Sequence, residues 1–396
     1  MTPSADGAQG LDAAPADASL AARDASRLAN SSTGTEDDAG PSAAHASAGA
    51  GGFPGASGAA AATTSQDAGG ASDAAGTPAC AADLDPAHPP QRLELSGALQ
   101  LSDPALIESR ELPGTYYAFA TGPGISVRTS RDLVAWQDAG RVFAFDPQWI
   151  AQTFDAVPAL WSPDISFFGG VYHLYYAVSK QGNNRSCIGH ATAKALPGPF
   201  EDQGAVLCSS IGAQRDDWNA IHPNYVEDEN GRAYLAFGSF YSGIKLVALN
   251  PSTGKVASNA LISIAARMKQ GGAIEAPFIV RRCDYFYLFV SFDRCCDGVN
   301  STYKIYLGRS KMLTGPYLDR AGAQMLDGGG TALVIGDETW HGPGHSAILH
   351  SGDRWYDVHH AYYASEEAAI YQQGQPYLRI SELAWDKDGW PASGGP

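Results

Sequence analysis

The stretch Ile274-Glu275-Ala276-Pro277-Phe278-Ile279-Val280 decides the fold, because four other stretches open in the same way. In each, a polar or ionisable residue sits beside Pro or Gly and a short apolar run follows. The others are Ser102-Asp103-Pro104-Ala105-Leu106-Ile107, Trp161-Ser162-Pro163-Asp164-Ile165, Ile221-His222-Pro223-Asn224-Tyr225-Val226 and Gly342-Pro343-Gly344-His345-Ser346-Ala347-Ile348. After each come a turn residue (Gly114, Gly170, Gly231, Asp284, Asp353) and an aromatic run such as Tyr172-His173-Leu174-Tyr175-Tyr176. The unit recurs about every 60 residues and is rich in β-formers and turn residues. Five such units predict an all-β fold, a five-bladed β-propeller with about four antiparallel strands per blade. A β-sandwich does not require the repeated openings, and no long amphipathic helix pattern competes.

The first strand of a propeller blade lines the central channel. The openings therefore bring Asp103, Asp164, His222, Glu275 and His345 to one mouth, one per blade at equivalent positions. Ionisable groups are costly to bury unless they are paired, metal-bound or used. A carboxylate set between Ile274 and Ala276-Pro277 is held dry, and dryness raises a carboxyl pKa, as a general acid near neutral pH requires. The residues thus predict a central site with two working carboxylates.

Outside the repeats the composition changes. Residues 1–88 are dominated by Ala, Gly, Ser, Asp and Thr with Phe53 as the one aromatic, too few apolar groups to offset ordering entropy. They are read as a disordered linker, and 89–396 as the propeller. The net charge of −16 and pI near 4.9 argue against nucleic acid or an anionic membrane as partner. No apolar run reaches the ~18 residues of a membrane span. The first residues have no signal-peptide pattern, so a leader is read as absent or removed. Six cysteines, with no CxxC pair and with Cys295-Cys296 adjacent, make a zinc site a poor reading. Cys187 and Cys208 flank one expected hairpin and are candidates for pairing; the partner of Cys283 stays open.

The units resemble family 43 of the glycoside hydrolases, specifically its endo-1,5-α-L-arabinanase branch, over about residues 92–392. The resemblance rests on Trp161-Ser162-Pro163-Asp164-Ile165-Ser166, Phe237-Gly238-Ser239-Phe240-Tyr241-Ser242-Gly243-Ile244-Lys245 and Ile274-Glu275-Ala276-Pro277. It also rests on Ser291-Phe292-Asp293-Arg294-Cys295-Cys296, Ser301-Thr302-Tyr303, Gly308-Arg309-Ser310, Thr314-Gly315-Pro316-Tyr317 and Gly342-Pro343-Gly344-His345. It implies a secreted or cell-surface, monomeric inverting hydrolase acting on arabinan, a polysaccharide of plant cell walls.

By the same resemblance Asp103 is the general base, Glu275 the general acid and His345 the holder of a central Ca2+ or similar ion, largely through waters. Trp161 is a candidate stacking platform, Asp164 a substrate-binding residue and Phe154 a contact for a neighbouring sugar. Ser179, Asn219 and Ser239 are candidate hydrogen-bonding residues to sugar hydroxyls. Two motifs depart from the family. Its His-Asp-Pro is Ser102-Asp103-Pro104 here, and its Asn-Ala-Ile-Asp-Pro is Asn219-Ala220-Ile221-His222-Pro223. His222 therefore stands in the catalytic set where a carboxylate would orient and tune the acid. That replacement leaves open a weakly catalytic carbohydrate-binding propeller or a pentofuranosidase of other specificity.

Overall fold

A computed structural model describes residues 81–154, 159–179, 184–213, 215–365 and 371–396. The expected linker lies almost wholly outside the described residues. Blade 1 comprises β1 (Ser96–Gly97), β2 (Ser102–Glu108), β3 (Tyr116–Thr121), β4 (Ser126–Ser130) and β5 (Ala135–Arg141). Blade 2 comprises β6 (Ala159–Phe168), β7 (Val171–Ser179), β8 (Ser186–Ala193) and β9 (Glu201–Ser209). Blade 3 is β10 (Asn224–Glu227), β11 (Ala233–Phe237), β12 (Ile244–Asn250) and β13 (Lys255–Ala265). Blade 4 is β14 (Ile274–Arg282), β15 (Tyr285–Phe292), β16 (Lys304–Ser310) and β17 (Thr331–Val334). Blade 5 is β18 (Trp340–Ser351), β19 (Arg354–Tyr363), β20 (Pro376–Trp385) and β21 (Pro391–Ser393). Apart from parallel β1, the strands pair antiparallel in chain order, giving the expected five blades.

The aromatic second strands sit between a first and a third strand and are covered on both faces. In β7, Tyr172 through Val178 are all buried. Outer strands such as β5 are largely exposed. One apolar cluster fills each blade-to-blade interface. Phe119 and Val127 meet Leu174 and Tyr176, and Tyr175 and Ile188 meet Leu235 and Phe237. Leu246 and Ile264 meet Leu288 and Val290, and Phe289 and Leu307 meet Leu383 and Trp385. Val358 and Ile380 close the ring on Ala118 and Trp136. Burial at roughly 25 cal/mol per Å² of apolar surface is the main force holding blade to blade.

Residues 91–99 run along β20, with Leu93 N donating to Ile380 O (2.9 Å) and Leu378 N to Leu99 O (2.8 Å), and so bridge the last blade to the first. The attachment begins before the expected boundary at 88/89. Asp83 N donates to Trp385 O (3.0 Å), and Ala81 O accepts from Arg282 at the far end of β14 (2.8 Å). Cys187 and Cys208 pair as a disulfide across β8 and β9, and Cys295 and Cys296 are disulfide-bonded to each other.

Candidate active site

The five openings share a backbone feature. Asp103, Ser162, His222, Ala276 and His345 have φ of 52°, 41°, 54°, 52° and 56°. A non-glycine residue in this left-handed region costs about 1–2 kcal/mol. Asp and His tolerate it better than most. At four of these residues the inner strand also slips register against its neighbour, a β-bulge. In blade 3, β10 begins only at Asn224, just after His222.

The preceding blade holds three of these kinks. The Asp103 amide donates to His360 Nδ1 (3.1 Å), that of Ser162 to Thr121 Oγ1 (2.9 Å) and that of His345 to Ser291 Oγ (2.8 Å). His360, Thr121 and Ser291 all lie on second strands.

This alignment corrects the expectation of five equivalent ionisable groups. Asp103, His222 and His345 are equivalent, Glu275 is one residue earlier in its blade, and Asp164 is two residues later. Each bulge residue shifts which way the following side chains face, so the shared opening does not fix a shared side-chain position.

Asp103 accepts a 2.5 Å hydrogen bond from Thr121 Oγ1, and its Oδ1 lies 3.4 Å from His345 Nδ1 and 3.6 Å from His360 Nδ1. Burial works to raise its pKa. The imidazoles of His345, His360 and His222 and the Thr121 hydroxyl outweigh burial and hold it below the usual range. Burial pushes His345 down to about 3 and His360 to about 4, so both are neutral near pH 7.

Glu275 is buried. Its Oε1 accepts from the Tyr303 hydroxyl, and its Oε2 lies 3.3 Å from His222 Nε2. The His222 and His345 rings are 5.3 Å apart. Asp103 and Glu275 thus stand on either side of an imidazole pair. One carboxylate is kept anionic and the other is gripped by a phenol and an imidazole, a division suited to a base and an acid acting on one bond.

The remaining expected residues divide. Asn219 Oδ1 accepts from Ser186 Oγ (2.8 Å), its Nδ2 donates to Ser239 Oγ (3.3 Å), and Ser239 bridges to Glu275 through the backbone. Ser179 is the register partner of Ser186 and joins the same row at the catalytic ends of blades 2 to 4. Trp161 precedes Ser162 as Glu275 precedes Ala276, and its Nε1 is buried with no hydrogen-bond partner among the described residues.

Asp164 is placed differently. Its two oxygens accept from Asn224 Nδ2 (3.0 Å) and the Tyr225 amide (2.9 Å), tying blade 2 to blade 3. Phe154 is 4% exposed in the blade 1–blade 2 core with the Arg185 guanidinium over its ring, so it offers no open face to a sugar.

Thr121, Tyr303 and His360 escaped the sequence reading. Thr121 and His360 are polar residues near the catalytic ends of aromatic strands, which is a usable signal. Tyr303 stood in a quoted motif but had no partner to reveal its role.

The sequence matches the family described as "Glycosyl hydrolases family 43" over residues 98–391. It is 42% identical over 301 residues to the extracellular endo-alpha-(1->5)-L-arabinanase 1 of Bacillus subtilis, spanning 74% of this chain and 87% of that one. It is 41% identical over 295 residues to the extracellular exo-alpha-(1->5)-L-arabinofuranosidase ArbA of Cellvibrio japonicus, 70% of this chain and 82% of that one. The solved GH43 endo-arabinanase from Bacillus licheniformis superposes with a TM-score of 0.69 at 41% identity, covering 76% of this chain and 99% of the other.

Proposed function

The chain belongs to glycosyl hydrolase family 43, and on that premise we propose that it hydrolyses α-1,5-linked L-arabinofuranose chains by inversion, with Asp103 as general base and Glu275 as general acid. The observation that carries the reading is the split just described, an anionic Asp103 and a hydrogen-bonded Glu275 across one imidazole pair. Asp103 takes a proton from water while Glu275 gives one to the departing sugar oxygen, which requires carboxyls roughly 6.5–9.5 Å apart so that the water fits. Relatives named as extracellular support action outside the cell.

The test is release of reducing ends from debranched arabinan. Glu275→Gln lowers turnover by about 10²–10⁴-fold, the usual value of general acid catalysis. Binding of arabinan by the unaltered protein with no release would instead favour the carbohydrate-binding reading that His222 raises. The names of the relatives include both endo and exo action, and product sizes over time separate the two.

A calcium or similar ion on His345 belongs to the same proposal. No group of three His, Cys, Asp or Glu among the described residues would hold a metal by itself. The protein offers a neutral imidazole beside Asp103. A hard ion that keeps most of its waters fits such a place better than zinc does. Such an ion would offset the negative charge clustered at the mouth. A chelator and His345→Ala are each expected to lower melting temperature and activity. If both leave these unchanged, no ion is held there.

A further inference from the structure

We propose that Tyr303 is the positioning residue of the acid: by occupying Oε1 of Glu275 with its hydroxyl, it confines the transferable proton to Oε2. The inference rests on Glu275 being the acid. A carboxyl group has two oxygens, and only the one facing the leaving oxygen is useful as its proton carrier. The Tyr303 hydroxyl donates to Oε1; a carbonyl oxygen accepts better than the hydroxyl oxygen of an acid, so this bond favours Oε1 as the carbonyl and Oε2 as the proton carrier. Among the described residues Oε2 has only the longer 3.3 Å contact with His222 Nε2, which leaves it as the oxygen that carries and gives up the proton. Once the proton has left, the same phenol and imidazole meet the resulting carboxylate.

The surroundings are built for this grip. Tyr303 is 3% exposed, with the His360 ring 6.2 Å away between centroids and tilted by 27°. It lies against bare backbone in blade 5, where a Cβ on Gly344 would sit 1.9 Å from Tyr303 Cδ2. Gly344 immediately precedes the kinked His345, the same place that Glu275 holds before Ala276. Blade 5 thus carries glycine at the position where blade 4 carries the acid, and the space is filled by the residue that holds that acid. Burial and the adjacent Glu275 raise the phenol's pKa well above 10, so it remains a donor throughout the working range.

The experiment is a double-mutant cycle on a linear arabino-oligosaccharide. Tyr303→Phe keeps the ring and removes the hydroxyl. It is expected to lower kcat by about 10–100-fold, a share of the ~10²–10⁴ that general acid catalysis supplies, with KM and melting temperature little changed. In a Glu275→Gln background the same change is expected to cost nothing more, because the residue acts only through Glu275. An equal loss in both backgrounds, or a loss carried by KM alone, overturns the proposal. Near-normal turnover by Glu275→Gln itself would instead remove the acid assignment on which the proposal rests. Should Tyr303→Phe not fold, Gly344→Ala, which displaces the ring but keeps the hydroxyl, must lower kcat and lose that effect in the Glu275→Gln background.

Discussion

Asp103 and Asp164 belong to neighbouring inner strands, both are largely withdrawn from water, and their surroundings move their protons in opposite directions. Asp103 meets a hydroxyl and three imidazoles and is held below the usual carboxylate range despite burial. Asp164 meets one carboxamide and one backbone amide, burial wins, and its pKa rises to about 6. Lining the channel therefore does not make a carboxylate reactive; its companions decide. Imidazoles around Asp103 favour an anion that can accept a proton. Neutral dipoles around Asp164 turn its carboxyl into a strap between two blades.

The largest test of this contrast is a pair of isosteric changes. Asp103→Asn should cost about 10²–10⁴-fold in turnover of debranched arabinan. Asp164→Asn should keep most turnover and lose melting temperature instead. A comparable activity loss in both would mean that the channel, not the companions, sets the role.

A smaller effect is expected at His222, which faces Glu275 and also acts on Asp103. His222→Asp places a carboxylate beside the acid and is expected to raise neutral-pH turnover severalfold, whereas His222→Asn should not. Equal or lower turnover for the Asp variant across a full pH profile would show that the imidazole is a working part of this site.

The smallest effect is on stability. Asp164 titrates near 6 folded against 3.8 in its ordinary state. Its contribution is full below pH 3.8 and fades as pH rises through 6. The neighbouring His173 and His190, buried at about 4 and about 3 against 6.5, do the reverse: their contribution is full above 6.5 and is lost as pH falls through 4. Between pH 4 and 6 the aspartate partly offsets the histidines, so Asp164→Asn should steepen acid destabilisation in thermal melts. Parallel curves for mutant and parent would refute the assigned shift.

The repeated openings were legible because a propeller needs the same turn and the same apolar strand in each blade. Asp103 and Glu275 were legible as carboxylates beside proline in apolar company. Their unequal placement was not, because it depends on where each bulge inserts its extra residue, and the kinked residues are as varied as Asp, Ser, His and Ala. Tyr303 and His360 were hidden for a different reason. His360 meets Asp103 only when blade 5 closes on blade 1, across 257 positions, and Tyr303 reaches Glu275 across 28 positions from the connection between two strands of blade 4, where no strand periodicity places a side chain. Phe154 shows the opposite failure, since an aromatic expected at a sugar site is spent on the core.

The first described residues meet the propeller at Arg282 and Trp385, and Arg282 ends the strand whose second residue is Glu275. They stand seven positions apart, at most about 23 Å at the usual rise per residue. Ala81 thus meets the propeller at the end of β14 remote from Glu275. Fixing the protein to a solid support through its leading end would leave the cleft facing outward.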